Sequence, residues 1–77
     1  MTAARPQPPA RRRVDSSVLV SVGYDRLRLV LEIELVNGHV YQYLDVPEEV
    51  HTALIEAPSL GAFFNREIRD RYPTRKL

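Results

Sequence analysis

The run from Leu27 to Val36 constrains this chain most, because Leu27, Leu29, Leu31, Ile33 and Leu35 alternate there with Arg28, Val30, Glu32, Glu34 and Val36. A period of two sends successive side chains to opposite faces of a strand. One face is then wholly aliphatic and the other mostly charged, as in an antiparallel strand with one side on a core and one in water. The chain therefore needs a sheet, and its apolar face needs a cover.

The neighbouring segments supply both. From Ser17 to Tyr24 the residues Val18, Val20 and Val22 alternate with Leu19, Ser21 and Gly23, which predicts a first strand turned by Asp25 and Arg26 into the leucine strand. Asn37-Gly38 tolerates positive φ, and His39 to Val46 continues with β-formers, so these two strands form a hairpin. Pro47 suits the first turn of a helix and Glu48 and Glu49 its positive end, while Val50, Ala53, Leu54 and Ala57 recur at helical spacing up to Pro58. Ser59 can cap a second helix with Leu60, Phe63, Phe64 and Ile68 on one side, closed by Tyr72 and Pro73. The expected fold is α+β: a three-stranded antiparallel β-meander followed by two short α-helices packed on one face.

Seventy-seven residues allow one domain, expected over 14–77. Residues 1–13 hold three prolines, four arginines and no acid, and are expected to be a disordered basic arm whose removal leaves the fold and its melting unchanged. The formal net charge of +1 hides a division: +4 in the arm, −6 over residues 14–65 where two arginines meet eight carboxylates, and +3 over residues 66–77. A polyanion would be held by the ends and repelled by the middle. No segment has the apolar core of a secretory signal or the roughly 20 apolar residues that span a bilayer, so neither export nor membrane insertion is expected. With no cysteine to form a disulfide or a thiolate metal site, a cytoplasmic location is the simplest expectation.

Catalytic chemistry lacks candidates. His39 beside the hairpin turn and His51 on the first helix read as surface histidines, since neither has metal-ligand company at a recognised spacing. Ser16-Ser17 has no nucleophile-elbow context and suits hydrogen bonding where the arm enters the first strand. Glu32 and Glu34 lie about 6.6 Å apart on one strand face, a spacing paired acids could use, but alternating acids on such a face ordinarily serve solubility. The three glycines are isolated, so no phosphate loop is present. The expectation is a non-enzymatic protein with no metal and no cofactor.

Two features suit binding. Tyr41 and Tyr43 point to the same face of a strand, as in sheets that stack unpaired bases. With a two-residue turn at Asn37-Gly38 the rings face outward beside Glu34 and Glu32; with a three-residue loop and a bulge at Gly38 they join Ile33 and Leu31 inside. The sequence leaves both registers open. The second feature is the basic cluster of Arg66, Arg69, Arg71, Arg75 and Lys76, with Tyr72 among them; a solvated helix face with Glu67 and Asp70 as partners is its plain account.

The set Ser16-Ser17, Gly23-Tyr24-Asp25, Leu31-Glu32-Ile33, Gly38, Tyr41-Gln42-Tyr43, Val46-Pro47, Ala57-Pro58-Ser59-x-Gly61 and Phe64-Asn65-x-x-Ile68-Arg69-x-x-Tyr72-Pro73 resembles the KTSC domain over residues 14–74. This domain occurs at the C-terminus of some lysyl-tRNA synthetases and as free-standing bacterial proteins. By that association the resemblance implies RNA as the ligand, and the tyrosine pair and basic helix face read above then supply Tyr41, Tyr43, Arg66, Arg69 and Arg71 as the expected nucleic-acid-binding residues. The alternative is a protein-interaction or homodimerisation module that uses the edge of the first strand or the tyrosine face. His51 departs from the family, standing where an aromatic residue is common, and Leu35 where a phenylalanine is common.

Overall fold

A computed structural model describes residues 9–77. Five strands, β1 (Arg12–Arg13), β2 (Leu19–Asp25), β3 (Val30–Leu35), β4 (Val40–Tyr43) and β5 (Thr74–Lys76), form one antiparallel sheet in that order. Helix α1 (Glu48–Glu56) follows β4, and helix α2 (Leu60–Phe63) runs on into a π-helical turn over Phe64–Ile68. The α+β class is as expected, but the sheet has two more strands than the expected three. Both extra strands are cationic or polar and exposed. They are held through their backbones, so they carry no apolar alternation for a sequence reading to find.

The arm expected over residues 1–13 is thus ordered at its C-terminal end, where Arg12 pairs with Val22 and Arg13 with Ser21. Residues 1–8 lie outside the described residues. A tight reversal joins β1 to β2: the Ser16 hydroxyl accepts from the amides of Val18 and Leu19 at 3.1 and 3.2 Å, and the Val14 amide donates to Val20 at 3.0 Å. The local hydrogen bonding expected of Ser16 is therefore present. A bulge between Leu19 and Ser21 shifts the register against β3, so Leu19, Val22 and Tyr24 face inward and the simple Val18–Val20–Val22 alternation fails.

The leucine strand also begins later than its pattern. Asp25 Oδ1 accepts from the amides of Leu27 and Arg28 at 3.0 and 3.1 Å, and Leu29 takes a left-handed φ of 58°. The turn therefore extends through Leu29, and Leu27 is 91% exposed at its tip. At the next hairpin the Gly38 amide donates to Leu35 at 2.9 Å and Gly38 has φ 90°. That glycine conformation sets the bulged register: Leu31 faces Tyr43, Ile33 faces Tyr41 and Glu32 faces Gln42. Both tyrosines point inward.

Leu31, Ile33 and Tyr43 pack with Leu19, Val22, Val46, Leu54, Phe64 and Ile68, so the helical segments cover one face of the sheet. Ser59 caps α2 as expected, its hydroxyl accepting from the Ala62 amide at 3.2 Å. The helix ends sooner than Tyr72. The Arg69 amide reaches back five residues to the Phe64 carbonyl at 2.9 Å, and the wide turn keeps both Phe64 and Ile68 buried.

Candidate nucleic-acid interface

Tyr43 is only 3% exposed, with its ring edge-on to Phe64 at 5.6 Å. Burial pushes its hydroxyl pKa up, and Arg69 pulls the other way. A ring packed on this side of the sheet has no face to offer a base, so Tyr43 leaves the expected stacking pair. Tyr41 is half-buried, lies 6.3 Å from the His39 ring in an edge arrangement, and pairs across β4 and β5 with Lys76. It alone of the two keeps accessible surface.

Arg66 in the π-helical turn and Arg69 and Arg71 just beyond it are all exposed. Arg66 Nε sits 3.5 Å from Glu67 Oε2, and Arg69 Nη1 donates to Asn65 Oδ1 at 3.3 Å, a weak tether one turn back. Arg71 follows the π-helical turn, its amide donating to Ile68 at 3.1 Å. Strand β5 then carries Arg75 and Lys76 to the edge beside Gln42 and Tyr41. Among the described residues, Arg69, Arg71, Arg75 and Lys76 make no ion pair within 4.0 Å. Tyr41 and Lys76 are brought together by a strand pairing that charge counting missed.

The outer face of the sheet is organised differently. Glu32 is 4% exposed, with one oxygen 3.5 Å from Arg11 Nε and the other accepting from Gln42 Nε2 at 2.9 Å. Ser21 donates to Glu34 at 2.9 Å. The acids expected to serve solubility are instead held in a polar network beneath the arm. Gly23 makes this possible: a Cβ there would stand 2.6 Å from the Ala10 carbonyl oxygen and 3.0 Å from Arg11 Cγ.

On the inner face of the sheet, next to Gly23, the Tyr24 hydroxyl donates to the Val46 carbonyl and its ring stacks on His51 at 4.8 Å and 11°. His51 is thus half-buried rather than a free surface histidine, and burial lowers its pKa while Glu48 pulls it up. A shallow groove of about 420 Å³ lies between α1 and α2, lined by Ala53, Ala57, Pro58, Ser59, Ala62, Phe63 and Arg66. It gathers no acid–base pair.

The KTSC domain pattern matches residues 15–72. The chain belongs to the KTSC domain family. A KTSC domain protein from Yersinia pestis has the same fold, with a TM-score of 0.85 and 39% identity over 91% of this chain and 99% of that one. An uncharacterized protein of Stutzerimonas stutzeri is 44% identical over 62 residues, 80% of this chain and 87% of its own length. A lysine–tRNA ligase of Nostoc punctiforme is 35% identical over 63 residues, which are 82% of this chain and 11% of the ligase. The KTSC unit thus occurs both as a small protein and as a minor part of a tRNA ligase. Among the described residues, no helix is long and apolar enough to cross a membrane.

Proposed function

We propose that this KTSC domain is a non-catalytic RNA-binding module that holds phosphates on the cationic rim of Arg66, Arg69, Arg71, Arg75 and Lys76, with Tyr41, the half-buried member of the tyrosine pair, offered to a base. The observation that carries the reading is the pairing of Tyr41 with Lys76 beside a run of exposed arginines, which sets a cation next to a stacking surface. Tyr43 contributes stability rather than contact. The tRNA ligase relative supports RNA as the ligand class by context.

The alternative, a protein-interaction or homodimerisation module, was expected to use the edge of the first strand or the tyrosine face. The edge of β2 is taken by β1, and on the tyrosine face Tyr43 is buried against Phe64, which leaves Tyr41 as the accessible part of that face. The strands left at the edges are two and three residues long and cationic, features that oppose pairing between copies.

The test is a titration of the protein against transfer RNA and a random single strand at two salt concentrations. Removing Arg75 and Lys76 together should weaken binding and flatten the salt dependence by about 0.7 in slope per cation lost on a single strand. No binding to either RNA at low salt would remove the reading and bring the protein-partner one forward.

A further inference from the structure

The outer face of the sheet carries a recognition pattern that RNA binding does not use. Two acids, Glu32 and Glu34, stand two residues apart on β3, and two arginines, Arg11 and Arg13, stand two residues apart on the arm. The strand pairings align them. Arg13 pairs with Ser21, whose hydroxyl donates to Glu34, and Arg11 reaches past Gly23 to Glu32, the residue that pairs with Gly23. An Arg-x-Arg segment is thereby matched to a Glu-x-Glu strand at one strand's remove, with side chains of both sets on the same face.

Three observations give this match the character of a docked segment rather than a further part of the core. The arm contributes two paired strand residues, both exposed, so little apolar burial holds it. It closes over a fitted seat, since Glu32 is 4% exposed beneath it and the missing Cβ of Gly23 is what admits the Ala10 carbonyl. The KTSC match begins at residue 15, so the seat belongs to the family unit while the segment occupying it lies outside the match.

We propose that this face is a docking site for an extended Arg-x-Arg segment of another polypeptide, and that the chain's own arm occupies it as a tethered competitor. Glu32 and Glu34 select the two arginines, Gly23 admits the incoming backbone, and the amide edge of β2 supplies strand pairing. A phosphate chain is excluded by the two acids, and an uncharged strand leaves Glu32 buried without its cation. The tether through Asp15-Ser16-Ser17 keeps the arm at high local concentration, so a competing segment binds weakly to the parent and more tightly when the arm is disabled.

The experiment uses the full chain and a fluorescent synthetic peptide of residues 8–16. The Arg11→Ala, Arg13→Ala double variant should bind the peptide saturably and roughly ten-fold or more tightly than the parent does, the gap reflecting the tethered competitor. A peptide with both arginines replaced by alanine should lose that binding, as should the double variant carrying Glu32→Gln in addition. Equal binding by parent and double variant, or by native and alanine peptides, would overturn the proposal. Should the double variant fail to fold, amide exchange of the parent decides the matter. Arg12 and Arg13 amides exchanging well before those of Ile33 show an arm that opens on its own, and exchange only through global unfolding shows an integral strand and ends the idea.

Discussion

The Tyr24 hydroxyl donates its hydrogen bond to the carbonyl oxygen of Val46, a residue with no exposed surface, and so ties the end of β2 to the loop between β4 and α1. The Val46 amide is held too, donating to Leu29 at 2.9 Å. Leu29 and Asp45, the non-glycine residues with positive φ (58° and 61°) among the described residues, are thus fixed across one pair of hydrogen-bonded loops. The strained turns persist because the surrounding bonds determine them.

Replacing Tyr24 with phenylalanine keeps the ring on His51 but removes the donor to a buried carbonyl. An orphaned buried acceptor costs about 1 to 3 kcal/mol. For a domain of this size each kcal/mol lowers the melting temperature by roughly 4 to 8 °C. A thermal melt of Tyr24→Phe that overlays the parent would show the bond to be energetically idle.

His51 makes stability depend on pH in a defined direction. Burial beside Tyr24 lowers its folded-state pKa below the unfolded value of about 6.5, although Glu48 partly offsets this. The unfolded chain therefore binds more protons at mildly acidic pH. The stability from the neutral ring is fully present above about pH 6.5 and is lost as pH falls from there through the lower folded-state value. Urea midpoints measured between pH 7.5 and 5 should decline in the parent, and His51→Phe, which keeps a ring against Tyr24, should show a smaller decline. Matching declines would assign the effect to other groups.

The alternation at Leu31, Ile33 and Leu35 revealed the inward face because each residue's burial follows from strand parity alone. The same logic failed where local hydrogen bonds outweighed it. Asp25 captured two amides and drew Leu27 and Leu29 into a turn, and the bulge before Ser21 reversed the parity of β2. The tyrosine register could not be read because Asn37-Gly38 serves either loop length, and only the φ of Gly38 selects between them. Edge strands β1 and β5 were hidden in charged segments, since a backbone ladder leaves no mark in side-chain pattern. For that reason the partners of Glu32 and the pairing of Lys76 with Tyr41 emerged only with the fold.

The two tyrosines should separate cleanly under mutation. Tyr43→Ala removes a buried ring packed on Phe64 and should cost about 3 to 5 kcal/mol, enough to unfold much of a small domain. Tyr41→Ala should melt closer to the parent and, on the RNA reading, lose about 1 to 3 kcal/mol of affinity for a single strand. A melting curve and a binding isotherm on each protein check both. If Tyr41→Ala binds RNA like the parent, stacking on that ring is wrong and the interface reduces to the cations.

Gly23 should change the sign of its effect with the arm. In the full chain, Gly23→Ala sets a methyl carbon 2.6 Å from the Ala10 carbonyl oxygen. Backbone cannot swing aside as a side chain can, so the arm lifts and Arg11 leaves Glu32; overpacking of this kind costs about 1 to 3 kcal/mol. Deleting residues 1–13 should also destabilise, against the sequence expectation, because it removes β1 and the Glu32 ion pair. In that shortened chain the Ala10 and Arg11 atoms that crowd the methyl group are gone, and alanine in place of a strand glycine gains about 0.5 to 1 kcal/mol. Melting temperatures of the parent, each single change and the combination close a double-mutant cycle. A Gly23→Ala penalty of the same size with and without the arm would mean that the arm does not press on Gly23 in solution.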